Sequence, residues 1–236
     1  MIEHLARPTD VNVAAETVGS PNWSTTSPPA TLPPRSRPRK RLTREERAED
    51  ARASIFAAAA KVVGQYGYAD ASVTKITEAA GIAQGTFYLY FHSRQALFDE
   101  LLPNVGTEMF QFIRDRVTGA TDVLDVEERG IRAFFDFLEV NPGFFRILNE
   151  AEVAAPIAHE RHFGQTARHF VESLRRGIAA GHIREFDEEE LETVVYVFMA
   201  ARSYLYLRYV KGKAPGAKVP EKAIAAYLRL IRNGLK

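Results

Sequence analysis

SVTKITEAAGIAQGTFYLYFHSR, residues 72–94, decides how the rest of this chain is read. Two short helical signals meet at a tight turn at Gly81-Ile82. The second helical stretch, Gln84 to Tyr90, is polar at its start and aromatic after it. It is too short to bury a face of its own. A bracing helix followed by one that projects its N-terminal side chains is the layout of a DNA-reading helix-turn-helix.

Immediately upstream, Thr43 and Glu46 are spaced as a capping box for a first helix. Its apolar stripe runs through Ile55, Phe56, Ala59, Ala60, Val62, Val63 and Tyr66, and Gly67 ends it. Ser72 can cap the second helix and Ser93 the fourth, which passes Leu97, Leu101 and Phe110. Pro103 lies inside that fourth helix, removes a backbone donor and predicts a kink. Residues 1–42 hold seven of the 12 prolines and almost no apolar periodicity. They are expected to be a disordered arm, because they have too little to bury. The end of that arm carries Arg35, Arg37, Arg39, Lys40, Arg41 and then Arg44 without an acid between them. Beside a DNA-reading unit, Arg39, Lys40 and Arg41 are expected to follow the phosphate backbone or enter the minor groove. A solvated basic tail is the alternative.

Composition narrows the field further. With 31 Lys+Arg against 30 Asp+Glu, the net charge of +1 gives no strong overall field, so attraction to DNA has to be local. The absence of cysteine excludes disulfides, cysteine-ligated zinc and thiol catalysis, and fits a cytoplasmic location. No uncharged apolar run of membrane-spanning length occurs, and the N-terminus lacks the apolar core of a signal peptide.

Downstream, amphipathic helices continue and no convincing strand appears. A fifth helix is expected over about Val126–Val140. A sixth is opened by Pro142, and a seventh runs from Pro156 to Gly181. The eighth is capped by Asp187 with Glu190, and the ninth is begun by Pro220 after the loop at 212–219. The fold class is all-α, with about nine helices. The domains are expected at 43–95, a three-helix DNA-binding unit, and at 96–236, a helical ligand-binding and dimerisation unit.

Within the reading unit, Gln84 and Thr86 are the natural base-edge readers. Glutamine can pair bidentately with adenine, and threonine can offer its hydroxyl or pack its methyl on thymine. Gly85 lets the backbone approach DNA. Tyr88 and Tyr90 put hydroxyls near phosphates, Phe87 and Phe91 turn inward, and Ser72 and Arg94 flank the site as phosphate contacts.

The same residues resemble the DNA-binding signature of the TetR family of bacterial transcription regulators. The matching elements are Ile76, Ala79-Ala80-Gly81-Ile82, Gly85-Thr86-Phe87-Tyr88, Tyr90-Phe91, Ser93 and Ala96-Leu97. The resemblance implies DNA contacts from the start of helix 2 (Ser72, Thr74, Lys75), from helix 3 and from Arg94. It also implies a homodimer on a palindromic, double-stranded operator and a C-terminal domain that binds a small-molecule effector. A repressor released by that effector is the function it implies; no cofactor is called for. The chain departs from the family at Ala83, often Ser or Thr, and at Gln84, often Lys. Both changes remove polar contacts and shift attention to the basic arm.

The C-terminal part carries no motif for one ligand. Its candidate pocket residues are Phe134, Phe137, Arg146, Asn149, Phe163, Phe170, Phe198 and Arg202, apolar walls with a few polar groups. The eighth helix is apolar nearly all round and the ninth adds Ile224, Tyr227, Leu228 and Ile231. Both are therefore candidates for the dimer interface. Two other functions stay open. One is a small helical enzyme using His159, His162 and Glu150. The other is a DNA-binding dimer with no small-molecule ligand.

Overall fold

The computed structural model describes residues 43–214 and 216–235. The basic residues Arg39, Lys40 and Arg41 lie outside the described residues. The described residues form nine helices and no strand: α1 Arg44–Tyr66, α2 Val73–Ala80, α3 Gln84–Tyr90, α4 Arg94–Val117, α5 Val123–Val140, α6 Phe144–Ala154, α7 Pro156–Ala179, α8 Glu188–Tyr209 and α9 Glu221–Leu235.

Local chemistry sets most boundaries. Thr43 and Glu46 form the expected capping box, with Glu46 N–H donating to Thr43 Oγ1 at 3.1 Å and Thr43 N–H to Glu46 Oε2 at 2.7 Å. Asp187 and Glu190 do the same for α8. Helix α5 begins at Val123 rather than at Val126. The Asp122 carboxylate caps it, accepting from the N–H groups of Leu124 and Asp125 at 2.8 Å each. Helix α6 does not open at Pro142. It starts at Phe144, after a turn in which Phe144 N–H donates to the Asn141 carbonyl at 3.0 Å. Helix α4 continues through Pro103, and the Thr107 hydroxyl donates to the Pro103 carbonyl at 2.9 Å.

Helix α4 is the spine. It packs along α5 and α7 and also touches α1 and α6, so the domain division expected at 95/96 falls within its first turn. One buried core runs from Ile55, Val63, Phe87 and Phe91 in the first helices through Leu101 and Leu102. It continues to Ile131, Ile147, Leu174 and Phe198.

A second bridge joins α1 to α6. Gly64 and Gly143 meet backbone to backbone, and a Cβ on Gly64 would lie 2.7 Å from the Gly143 Cα. Beside them Arg146 Nη1 donates to the Gln65 carbonyl at 2.8 Å, and Tyr68 N–H donates to Glu150 Oε2 at 3.0 Å. Arg146 and Glu150 are also ion-paired at 2.6 Å. The Gln65 carbonyl, left open at the end of α1, thus finds a donor on α6.

Candidate nucleic-acid interface and ligand cavity

Helix α2 is capped by Ser72, whose hydroxyl accepts from Lys75 N–H at 3.2 Å. It ends on Gly81, left-handed at φ 67° and ψ 32°, a conformation that costs glycine nothing. Ile82 N–H then reaches back to the Thr77 carbonyl at 3.0 Å, and the chain reverses directly into α3. That turn sets the crossing of the two helices.

Helix α3 is held by two rings. Phe87 and Phe91 are fully buried, with Phe91 edge-on to Phe56 of α1 at 5.3 Å between centroids. The Arg52 guanidinium covers Phe91 at 4.7 Å and is ion-paired with Glu100 of α4. With the rings inside, Gln84, Gly85, Tyr88 and Leu89 share the exposed face. Tyr88 is 53% exposed and Leu89 81%. A Cβ on Gly85 would meet nothing within 4 Å. Thr86 and Tyr90 are half-buried, and Tyr90 packs on the core. Ala83 supplies no side-chain cap.

Several of the expected contacts are brought together. Gln84 Nε2 donates to Thr74 Oγ1 at 2.9 Å, tying the start of α3 to α2. Lys75 Nζ donates to the Asp70 carbonyl at 3.0 Å and sits 4.8 Å over Tyr66. Arg94 Nη1 reaches the Ala69 carbonyl at 3.4 Å. Two exposed cations therefore flank the loop that leads into α2, beside Ser72. Leu89 is an addition to the expected set: leucine in a short helix reads as core, and only its position four residues after Gly85 could have marked it.

A cavity of about 400 Å³ lies among α4, α5, α7 and α8, with Leu148 of α6 and Leu235 of α9 also in its lining. Phe134, Phe163, Phe170, Phe198 and Arg202 line it. Phe137, Arg146 and Asn149 do not. Phe137 faces Phe112 and Phe144 in the core, Arg146 is held by the α1–α6 bridge, and Asn149 is exposed and donates to the Phe145 carbonyl at 2.6 Å. The wall also holds Glu127, which sequence patterning did not single out. It accepts from Arg202 Nη2 at 3.0 Å and from the Tyr227 hydroxyl at 2.6 Å, a triad drawn from α5, α8 and α9.

The histidine–glutamate cluster is not assembled. Glu150 is engaged with Arg146 and Tyr68 N–H, while His162 is buried and stacked on Phe110 with no partner for its Nδ1. Burial pushes the His162 pKa down to about 4, so the ring is neutral. Among the described residues, no group of three or more acidic or histidine side chains is placed to hold a metal. No described helix is long and apolar enough to cross a membrane.

Residues 55–101 match the tetR family of bacterial regulatory proteins. Over 75 residues the chain is 41% identical to the HTH-type transcriptional regulator YvdT of Bacillus subtilis, spanning 30% of this chain and 39% of that one. It is 24% identical to the HTH-type transcriptional repressor KstR2 of Rhodococcus jostii across 78% of this chain and 90% of KstR2. Its fold is similar to that of the regulator FadR of Bacillus subtilis, solved in complex with stearoyl-CoA. The TM-score is 0.64 at 18% identity, covering 78% of this chain and 99% of that one.

Proposed function

We infer that this chain is a member of the TetR family of bacterial regulatory proteins and a homodimeric transcription regulator, most simply a repressor, whose hold on its operator is released by a small molecule. The observation that carries the reading is α3 itself. Phe87 and Phe91 are buried, and Gln84, Gly85, Tyr88 and Leu89 are left exposed on the opposite side. In this reading Gln84, Thr86 and Leu89 contact base edges. Ser72, Thr74, Lys75, Tyr88, Tyr90 and Arg94 hold phosphates, and Arg39, Lys40 and Arg41 add backbone contacts. Residues 43–95 form the DNA-binding unit and 96–236 the effector and dimerisation unit. Such regulators act by binding DNA and not by catalysis.

The cavity supports a small-molecule effector, since it is concave, mostly apolar and of ligand size. Exposed apolar side chains on α8 (Tyr196, Val197, Tyr204, Leu207) and on α9 (Leu230) support a dimer through those helices. A two-fold dimer would set two copies of α3 into successive major grooves of a palindrome. Closure of the cavity on a ligand would favour a form whose two heads no longer match the half-sites.

Genome-wide mapping of bound DNA tests this directly, and the expected product is a palindrome with half-sites about one helical turn apart. On that DNA, Gln84→Ala should cost about 1–3 kcal/mol and relax base preference. Arg94→Ala should weaken all sequences alike and lower the salt slope by about one. Equal losses for both variants on operator and scrambled DNA would remove the division of roles.

A further inference from the structure

Almost all of the cavity wall is hydrocarbon, with Met109, Phe110 and Phe134 among its side chains. Two charged side chains enter it, Glu127 from α5 and Arg202 from α8, and they neutralise each other at 3.0 Å. Both are nearly inaccessible to solvent, at 6% and 9% of their side-chain surface. Each Glu127 oxygen already accepts a bond, one from Arg202 and one from Tyr227. Arg202 is less fully occupied. Its fork has five N–H donors, of which Nη2 serves Glu127 and Nη1 the Phe198 carbonyl, and its flat face rests 4.9 Å from the centre of the Phe170 ring. His162, in the same wall, is uncharged.

The interior therefore offers spare donors with no net charge. An ionised ligand group placed there would lose its hydration, and no unpaired counter-charge among the described lining residues would offset that loss. Arg114 and Arg168 act on His169 of the wall but do not line the cavity. Both are exposed.

We propose that the cavity takes an uncharged, mainly hydrocarbon ligand whose single acceptor oxygen, of the ketone type, is bound by the Arg202 guanidinium while Glu127 and Tyr227 keep that guanidinium in place. This rests on the cavity being the effector site. Calorimetric titration of the full chain with 2-dodecanone, dodecane, dodecanoate and dodecanoyl-CoA tests it. The ketone should bind about tenfold tighter than the alkane, the value of one hydrogen bond to a charged group, and tighter than either anion.

Tighter binding of dodecanoate or dodecanoyl-CoA would overturn the proposal while leaving an effector site in place. No binding by any of the four would overturn it as well. Ketone binding that leaves the protein on its operator would uphold the ligand class and count against release by small molecules. The double variant Glu127→Gln/Arg202→Met removes both charges and every guanidinium donor together, so no lone charge is buried. Its expected result is equal binding of ketone and alkane. A retained tenfold preference would remove Arg202 from the site.

Discussion

Gly85 faces open space, so a side chain there meets no protein atom but stands where DNA would approach. Gly85→Leu should leave the melting temperature unchanged or higher, since glycine costs about 0.5–1 kcal/mol within a helix. Operator affinity should fall by at least about tenfold, read by fluorescence anisotropy; unchanged affinity would move the DNA away from α3. His162 makes the opposite kind of prediction, on stability alone. An unfolded histidine takes up a proton near 6.5, whereas the buried ring does so only at about 4. Stability is thus intact above pH 6.5 and declines as pH falls from there to 4, by roughly 3 kcal/mol in all. Denaturant midpoints at pH 7 and pH 5 should show the decline, and His162→Gln should flatten it. At this scale the exposure of Gln84 and Gly85 was legible, because polar and small residues have no business in a core. Phe137 and Arg146 were placed in the cavity wall, which they do not line, because residue type alone does not say which way a side chain faces.

Among the described elements, α3 is the shortest. It has seven residues, and Ala83 leaves its first N–H groups without a side-chain acceptor. Ala83→Ser should restore a cap and raise stability by about 0.5–2 kcal/mol, measured by chemical denaturation. The same hydroxyl lies next to Gln84 and should also tighten operator binding; a gain in stability without a gain in affinity would place Ala83 off the DNA. Capping chemistry is also why most helix boundaries were legible: Thr43 with Glu46 and Asp187 with Glu190 mark their helices by local spacing. The start of α5 was missed because Asp122 is a lone cap without a box, and the start of α6 because a proline at a first turn looks the same from outside the helix as from inside.

For the whole molecule, the proposed dimer would be formed by the apolar side chains left exposed on α8 and α9. Tyr204 and Leu230 are each 71% exposed. Tyr204→Glu/Leu230→Glu should turn a dimer into a monomer in sedimentation and abolish tight operator binding, because two linked heads bind far better than one. A monomeric wild type would dispose of the idea. Long-range pairs were the least legible part. Glu127 meets Tyr227 and Arg202 across three helices, and no local spacing announces such a meeting. The contact of Gly64 with Gly143 belongs to the same class, and it has a mechanical consequence. Side chains between helices have rotamers, and rotamers give slack: one helix can shift a little while its neighbour stays. Two backbones pressed together have no such compliance. Any displacement of α6 must either carry the end of α1 with it or pull the two apart, and the Arg146 hold on the Gln65 carbonyl resists separation. A small strain on the ligand side would then arrive at the DNA-reading helices almost undamped.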